Sequence, residues 1–174
     1  MPRFGFELEF AANPGVREIL NRNIPSGFIV GTDCTAGIGS MQGLELRTTK
    51  EFKQGLPREK FRTILEMIRI YDGMVHKTCG FHIHFSGFGI IDELRVCDFV
   101  RSKKNLWWHS RNKWCNRSDS DFKYKIIRKV GGFIYTPTGY DHYEIRCFNA
   151  TLNLRGICQM YKIARQAIKE GLIR

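Results

Sequence analysis

Residues 4–11 read Phe4-Gly5-Phe6-Glu7-Leu8-Glu9-Phe10-Ala11, with an apolar side chain at every even position and Gly5, Glu7 and Glu9 between them. Successive side chains of a strand point to opposite faces. The stretch therefore reads as a β-strand with Phe4, Phe6, Leu8 and Phe10 on one face and two carboxylates on the other. Three further segments repeat the pattern. Residues 44–48 set Leu44 and Leu46 against Glu45 and Arg47. Residues 79–86 set Phe81, Ile83 and Phe85 against His82 and His84. Residues 142–148 set Tyr143, Ile145 and Cys147 against Glu144 and Arg146. A shorter strand is expected at 28–30, and two more at 125–130 and 133–135 around the Gly131-Gly132 turn.

Helices fall between these strands. A short one is expected at 14–21 with Val16, Ile19 and Leu20 inward. Pro57 opens the clearest one, because proline suits a first helical turn, and its stripe is Phe61, Ile64, Leu65, Ile68, Tyr71 and Val75. Another covers 92–103 with a reading that extends to Trp108. Asn153 caps the last, with Ile157, Met160, Tyr161, Ala164, Ile168 and Leu172 inward. Strands and helices mix without strict alternation, so the expectation is an α+β fold with helices against one face of a mainly antiparallel sheet. The 174 residues fit one domain, 1–174, and 43% hydrophobic with 13% aromatic residues is a globular composition.

Lys and Arg exceed Asp and Glu by 28 to 17, a formal charge of +11 that favours anionic partners. The densest basic stretch, 95–129, also carries Trp107, Trp108, Trp114, Phe122 and Tyr124, the mixture that binds single-stranded nucleic acid. A solvated basic face over core aromatics is the plainer reading of it. None of the six cysteines forms a Cys-x-x-Cys pair, and neither a leader-like nor a membrane-length apolar run is visible. Free thiols, a cytoplasmic location and no membrane contact are the expectations.

The chemistry resides in four pairs of ionisable groups two residues apart: Glu7-x-Glu9, Glu45-x-Arg47, His82-x-His84 and Glu144-x-Arg146. Side chains at i and i+2 of a strand sit about 6.5–7 Å apart, and paired metal ions of phosphoryl-transfer sites sit roughly 3.5–4 Å apart. Glu7 and Glu9 can then each face one ion of a pair, with Glu45, Glu144 and a histidine completing the ligand set. Oxygen donors dominate, which suits Mg²⁺ or Mn²⁺ better than structural zinc. Taken singly, the pairs also fit solvated strand faces and cross-strand ion pairs. Cys79-x-x-His82-x-His84 also fits part of a zinc site, although no second ligand cluster accompanies it.

These blocks resemble, in order, a known family. Phe4-Gly5-Phe6-Glu7-Leu8-Glu9, Thr32-Asp33-Cys34-Thr35, Leu44-Glu45-Leu46, Cys79-Gly80-Phe81-His82-Ile83-His84, Ser110-Arg111-Asn112-Lys113-Trp114-Cys115, and Tyr143-Glu144-Ile145-Arg146 through Asn149-Ala150-Thr151-Leu152-Asn153 are similar to the amidoligase family, relatives of glutamine synthetase and glutamate–cysteine ligase. The resemblance spans nearly the whole chain. It implies a curved antiparallel sheet of the glutamine synthetase catalytic type that cups ATP and divalent metals. It implies a ligase joining an amino-acid or peptide-type carboxylate to an amine through an acyl phosphate.

Position by position, it implies that Glu7, Glu9, Glu45, His82 and Glu144 ligate metal and that His84 lies nearer the nucleotide phosphates. Arg146 matches the arginine that steadies the transferring phosphoryl group. Arg111, Lys113 and Arg128 are further candidates for phosphate or substrate-carboxylate contact, and Asp33 and Arg47 for the substrate. The chain departs from the family pattern at Cys34 and Thr35, and at Arg47 and the run to Lys50. Arg47 shares a face with Glu45, which suits an acidic group on the substrate. A nucleic-acid-binding module and a phosphotransferase are the alternatives the same residues allow. The oligomeric state is left open.

Overall fold

The structure is a computed structural model that describes residues 3–50, 52–53, 55–103, 127–129 and 142–173, with the backbone alone for Arg128 and Lys129. Among the described residues ten elements follow one another: β1 (Arg3–Ala12), α1 (Val16–Asn23), β2 (Phe28–Thr32), β3 (Gln42–Thr48), α2 (Arg58–Ile70), β4 (Gly80–Ser86), α3 (Glu93–Ser102), β5 (Ile127–Lys129), β6 (His142–Asn149) and α4 (Leu154–Gly171). The strands form one sheet in the order β2-β3-β1-β4-β6-β5, and every pairing is antiparallel. The fold class is α+β.

The even-numbered residues of β1 build the core. Phe6 meets Phe61 of α2 edge-on at 5.5 Å between ring centroids, and stacks on Phe81 of β4 at 6.2 Å. Tyr161 of α4 approaches the same ring at 5.9 Å. Such aromatic pairs add roughly 0.5–1.5 kcal/mol beyond the burial of their surface. Val16 and Leu20 of α1, Ile64 and Ile68 of α2, Val96 and Val100 of α3 and Ile157 and Ile168 of α4 join one buried cluster with the apolar strand face. A tie between strands adds to the packing: the Phe6 amide donates to the Thr48 hydroxyl at 3.1 Å.

Local signals account for the starts of two helices. The Asp92 carboxylate accepts from the amides of Leu94 and Arg95, and the Asn153 side chain accepts from Arg155, satisfying donors that the first helical turn leaves unpaired. Two helices differ from their sequence patterns. Ile19 is 36% exposed, so α1 buries only Val16 and Leu20. Helix α2 stops at Ile70, and Tyr71 and Val75 follow it. Asp72 takes a left-handed φ of 55°, and Met74 then exchanges two backbone hydrogen bonds of 2.8 Å with Ala11. That pairing with the end of β1 outcompetes another helical turn. The second strand reaches Thr32, two residues beyond its expected end.

Several expectations fall outside the described residues: the extension toward Trp108, the basic aromatic stretch beyond Lys103, the Gly131-Gly132 turn and the strand at 133–135. Among the described residues no helix is long and apolar enough to cross a membrane. Cys34, Cys79 and Cys158 carry free thiols.

The ring cluster under β1 makes Phe61 the test of this packing. Phe61→Ala is expected to cost about 3–5 kcal/mol, because the cavity left among Phe6, Phe28 and Phe81 cannot collapse fully. Urea denaturation checks it as a lowered midpoint with an unchanged slope.

Candidate metal centre

The other face of the sheet carries the ionisable groups. Across β1 and β3, Glu7 lies opposite Arg47 and Glu9 opposite Glu45. Across β1 and β4, Glu7 lies opposite His82 and Gly5 opposite His84. Across β4 and β6, His84 lies opposite Glu144 and Ser86 opposite His142. Directly opposed residues share a face of the sheet and lie close together. Four strands thus bring together Glu7, Glu9, Glu45, His82 and Glu144, with Arg47, His84 and Arg146 beside them.

His82 sits among three carboxylates. Its Nδ1 lies 3.2 Å from Glu7 Oε2 and 3.3 Å from Glu144 Oε1, and its Nε2 lies 3.6 Å from Glu9 Oε1. One trio able to hold a cation is Glu7, His82 and Glu144. The second is Glu9, Asp33 and Glu45, and within each trio the ligand atoms lie within 4.8 Å of one another. Asp33, read from sequence as a substrate contact, thus joins the ligand-bearing group. Its Oδ1 accepts from the Thr35 and Ala36 amides and from the Thr35 hydroxyl, an Asx turn that sets the loop beneath Glu9 and Glu45. The loop is tied down from below: His76 Nε2 lies 2.8 Å from the Ala36 carbonyl, and the Thr78 hydroxyl donates to the Thr35 carbonyl at 3.0 Å.

Two glycines are required by close approach. A Cβ on Gly43 would stand 1.8 Å from the Asp33 carbonyl oxygen, so only glycine lets the Asp33 loop lie against β3. A Cβ on Gly80 would stand 2.6 Å from His82 Nε2 and 3.4 Å from Glu9 Oε2. The Gly80 amide instead donates to Glu9 Oε2 at 2.6 Å.

Strand β6 carries an irregularity that its alternation does not announce. Phe81 pairs with Phe148 and Ile83 with Ile145, so β6 uses three steps where β4 uses two. A β-bulge of this kind re-aims side chains. Arg146 lies within it, with Nε 3.5 Å from Glu144 Oε1, and it lines a cleft of about 200 Å³ with Glu9, Asp33, Thr35, Thr78, Gly80 and His82. The shift also brings Asn149 opposite Gly80, on the polar side, where its Oδ1 is buried without a hydrogen-bond partner among the described residues. The sequence signal for it is the adjacent apolar pair Cys147-Phe148, which breaks the period of two.

His84 has Nδ1 3.0 Å from His142 Nε2 and Nε2 3.1 Å from Glu7 Oε1, so both ring nitrogens face protein groups. The motif pairs do not single out His142, although its spacing of two from Glu144 places it on the same face. Arg47 is half exposed at the rim, 3.9 Å from Glu45 Oε2. Arg111 and Lys113 lie outside the described residues, and Arg128 is described only through its backbone pairing with Glu144.

Burial governs the charges. It raises the Glu45 carboxyl to about 7, with the Glu7 carboxylate adding to the effect. Burial also raises Glu9, and Asp33 nearby adds to it while His82 opposes. For Glu7 burial acts the same way but is outweighed by hydrogen bonds and charge from His82 and His84, which hold it well below the usual range. For His82 burial disfavours the cation, and the surrounding Glu7, Glu144 and Glu9 outweigh it and raise its pKa. Burial pushes the Cys79 thiol up to about 11, and Cys79 belongs to the buried apolar cluster and to neither trio.

Comparison of the chain with family models, with curated proteins and with solved structures finds no match in any of the three. The donor set itself fits divalent cations. Opposed carboxylates of which one, Glu45, holds its proton to about 7 are what a buried acidic cluster shows when a cation is its natural complement.

Two outcomes are expected. Mn²⁺ affinity measured by titration calorimetry rises with pH and levels off above about pH 7, because the Glu45 proton must leave. In the metal-free protein the same raised pKa stabilises fully below the ordinary 4.5 and is lost as pH rises through 7, so Tm falls between about pH 6.5 and 8. His142, lowered to about 4 by burial and by His84, acts in the opposite direction, but its window closes at the ordinary 6.5. Second, Gly80→Ala is expected to weaken Mn²⁺ binding roughly 10–100-fold by displacing the His82 ring, with far-UV circular dichroism unchanged.

Proposed function

We propose that this chain is an ATP- and Mg²⁺- or Mn²⁺-dependent carboxylate–amine ligase, with a catalytic sheet of the glutamine synthetase and glutamate–cysteine ligase type. The observation that carries the reading is the meeting of two cation-capable trios on one face of the sheet, Glu7–His82–Glu144 and Glu9–Asp33–Glu45, bridged by one imidazole. The resemblance of the sequence blocks to the amidoligase family supports it. So does Arg146, a guanidinium lining the cleft beside both trios.

The reaction has two steps. The substrate carboxylate attacks the γ-phosphorus of ATP, forming an acyl phosphate and releasing ADP. An amine then attacks the acyl carbon, the amide bond forms, inorganic phosphate leaves, and the amine gives up a proton. Phosphoryl transfer asks mainly for positioning and charge neutralisation. Divalent ions supply charge neutralisation for the phosphate oxygens when bound. The chain supplies the rest: Glu7, Glu144 and His82 form one ligand set, and Glu9, Asp33 and Glu45 the other. Arg146 offers a fixed planar cation to the transferring phosphoryl group. Arg47 at the rim receives an acidic group of the carboxylate substrate.

The test is ADP release with Mg²⁺ or Mn²⁺ across a panel of amino acids and peptides, with hydroxylamine present to capture the acyl phosphate as a hydroxamate. Activity that falls by roughly 10²-fold or more in Glu9→Gln, with hydroxamate formed by the wild type, is expected. Arg47→Ala is expected to raise KM for the carboxylate far more than KM for ATP. A stable phosphorylated product with no amide makes the protein a phosphotransferase. Binding of single-stranded nucleic acid that falls steeply with salt, with no nucleotide turnover, makes it a nucleic-acid-binding module. Either result removes the ligase proposal.

A further inference from the structure

His142 is fully buried in β6 and takes no part in either trio. A buried polar ring of this size costs folding free energy unless its nitrogens are engaged, so its position calls for a reason. Its Nε2 lies 3.0 Å from His84 Nδ1, with the two rings edge to face at 5.2 Å and 80°. His84 is itself buried, and its far nitrogen, Nε2, lies 3.1 Å from Glu7 Oε1. The second oxygen of that carboxylate, Oε2, lies 3.2 Å from His82 Nδ1. The contacts form one unbroken line: His142, His84, Glu7, His82.

Counting protons along this line leaves few arrangements. An ionised carboxylate only accepts hydrogen bonds. Were His84 the Nδ1–H tautomer, its bare Nε2 would face Glu7 Oε1 with two electron-rich atoms 3.1 Å apart. With the proton on Nε2 that approach becomes an attraction between the N–H and the carboxylate, although the two are not aligned as a hydrogen bond, and His84 Nδ1 then needs a donor. The atom in place is Nε2 of His142.

We propose that His142 is a positioning residue that holds His84 as its Nε2–H tautomer, so that His84 turns an N–H toward the Glu7 carboxylate and steadies it beside His82 and Glu144. Outer-shell hydrogen bonds that fix a ligand's orientation and tautomer are worth roughly 10–100-fold in metal affinity. Glu7 stands on the central strand and belongs to the trio with His82 and Glu144. A freely rotating Glu7 carboxylate would sample many planes; the His142–His84 pair favours the plane in which one oxygen faces His84 and the other faces His82. As a device that prepares a metal ligand the pair rests on the ligase reading, whereas the line of contacts does not.

The tautomer is read directly by two-bond ¹H–¹⁵N correlation spectra of the imidazole rings, in metal-free wild-type protein at about pH 8. His84 is expected as the Nε2–H form. His142→Phe, similar in volume but without ring nitrogens, is expected to shift a large fraction of His84 to the Nδ1–H form and to weaken Mn²⁺ binding roughly 10–100-fold. His142→Gln keeps an amide donor and is expected to hold the tautomer and to keep affinity within about threefold of wild type. Wild-type His84 in the Nδ1–H form overturns the proposal without recourse to any variant, and so does a folded His142→Phe protein whose His84 spectrum and Mn²⁺ affinity are unchanged. Wild-type protein with the Nε2–H form that binds neither Mg²⁺ nor Mn²⁺ removes the ligase reading and leaves the positioning line standing.

Discussion

Glu9 and Glu45 face each other directly across β1 and β3, and Glu7 stands two residues away on the same face. Opposed like charges destabilise a sheet, and partial burial of both makes the repulsion stronger than it would be in water. On this face the same register sets Glu7 opposite Arg47, but a half-exposed ion pair of this kind contributes little. What enforces it is the other face, where Phe6 and Phe10 are buried beside Leu8, Leu44 and Leu46. A slip of one residue would turn the phenylalanines out and the glutamates into the core. The apolar side therefore holds the acidic side together against its own repulsion, and the rest of the site depends on that opposition.

The arrangement has the character of a site kept at a cost to stability, the usual condition of functional constellations. The histidines relieve part of the repulsion. His82 lies within 3.6 Å of carboxylate oxygens from Glu7, Glu9 and Glu144. His84 and His142 extend the same network toward β6. The imidazoles do not balance five acidic groups, and the proton held by Glu45 near neutrality is the measure of what is left over. A pair of divalent ions would complete the balance, and the donors are of the hard, oxygen-rich kind that Mg²⁺ and Mn²⁺ prefer.

Much of the fold and of the site is legible in the residues alone. Period-two alternation at residues 4–11, 44–48, 79–86 and 142–148 tells which side chains share a face, because in a strand that relation is purely local. The stripes of α2 and α4 and the caps at Asp92 and Asn153 are equally local and equally readable. The departures share a cause. Ile19 fits a helical stripe, yet the stripe of α1 is narrower than the pattern allows. Tyr71 and Val75 continue the spacing of α2, but the backbone leaves the helix so that Met74 can pair with Ala11. The bulge in β6 exists because Ile145 and Phe148 must both meet partners on β4. In each case a distant segment outweighs a local preference.

By itself the sequence determined the α+β composition, the strand faces and the chemical type of the side chains on them. The tertiary structure decided which faces became neighbours. The strand order β2-β3-β1-β4-β6-β5 joins residues 7, 45, 82 and 144 across long separations in the chain, and it brought Asp33 into the ligand group and His142 behind His84. The reason is physical. Side-chain direction follows from the backbone dihedrals of a few adjacent residues, whereas the choice of strand partner is made by whole apolar faces packing together, and only that choice sets the distance between groups that are far apart in sequence.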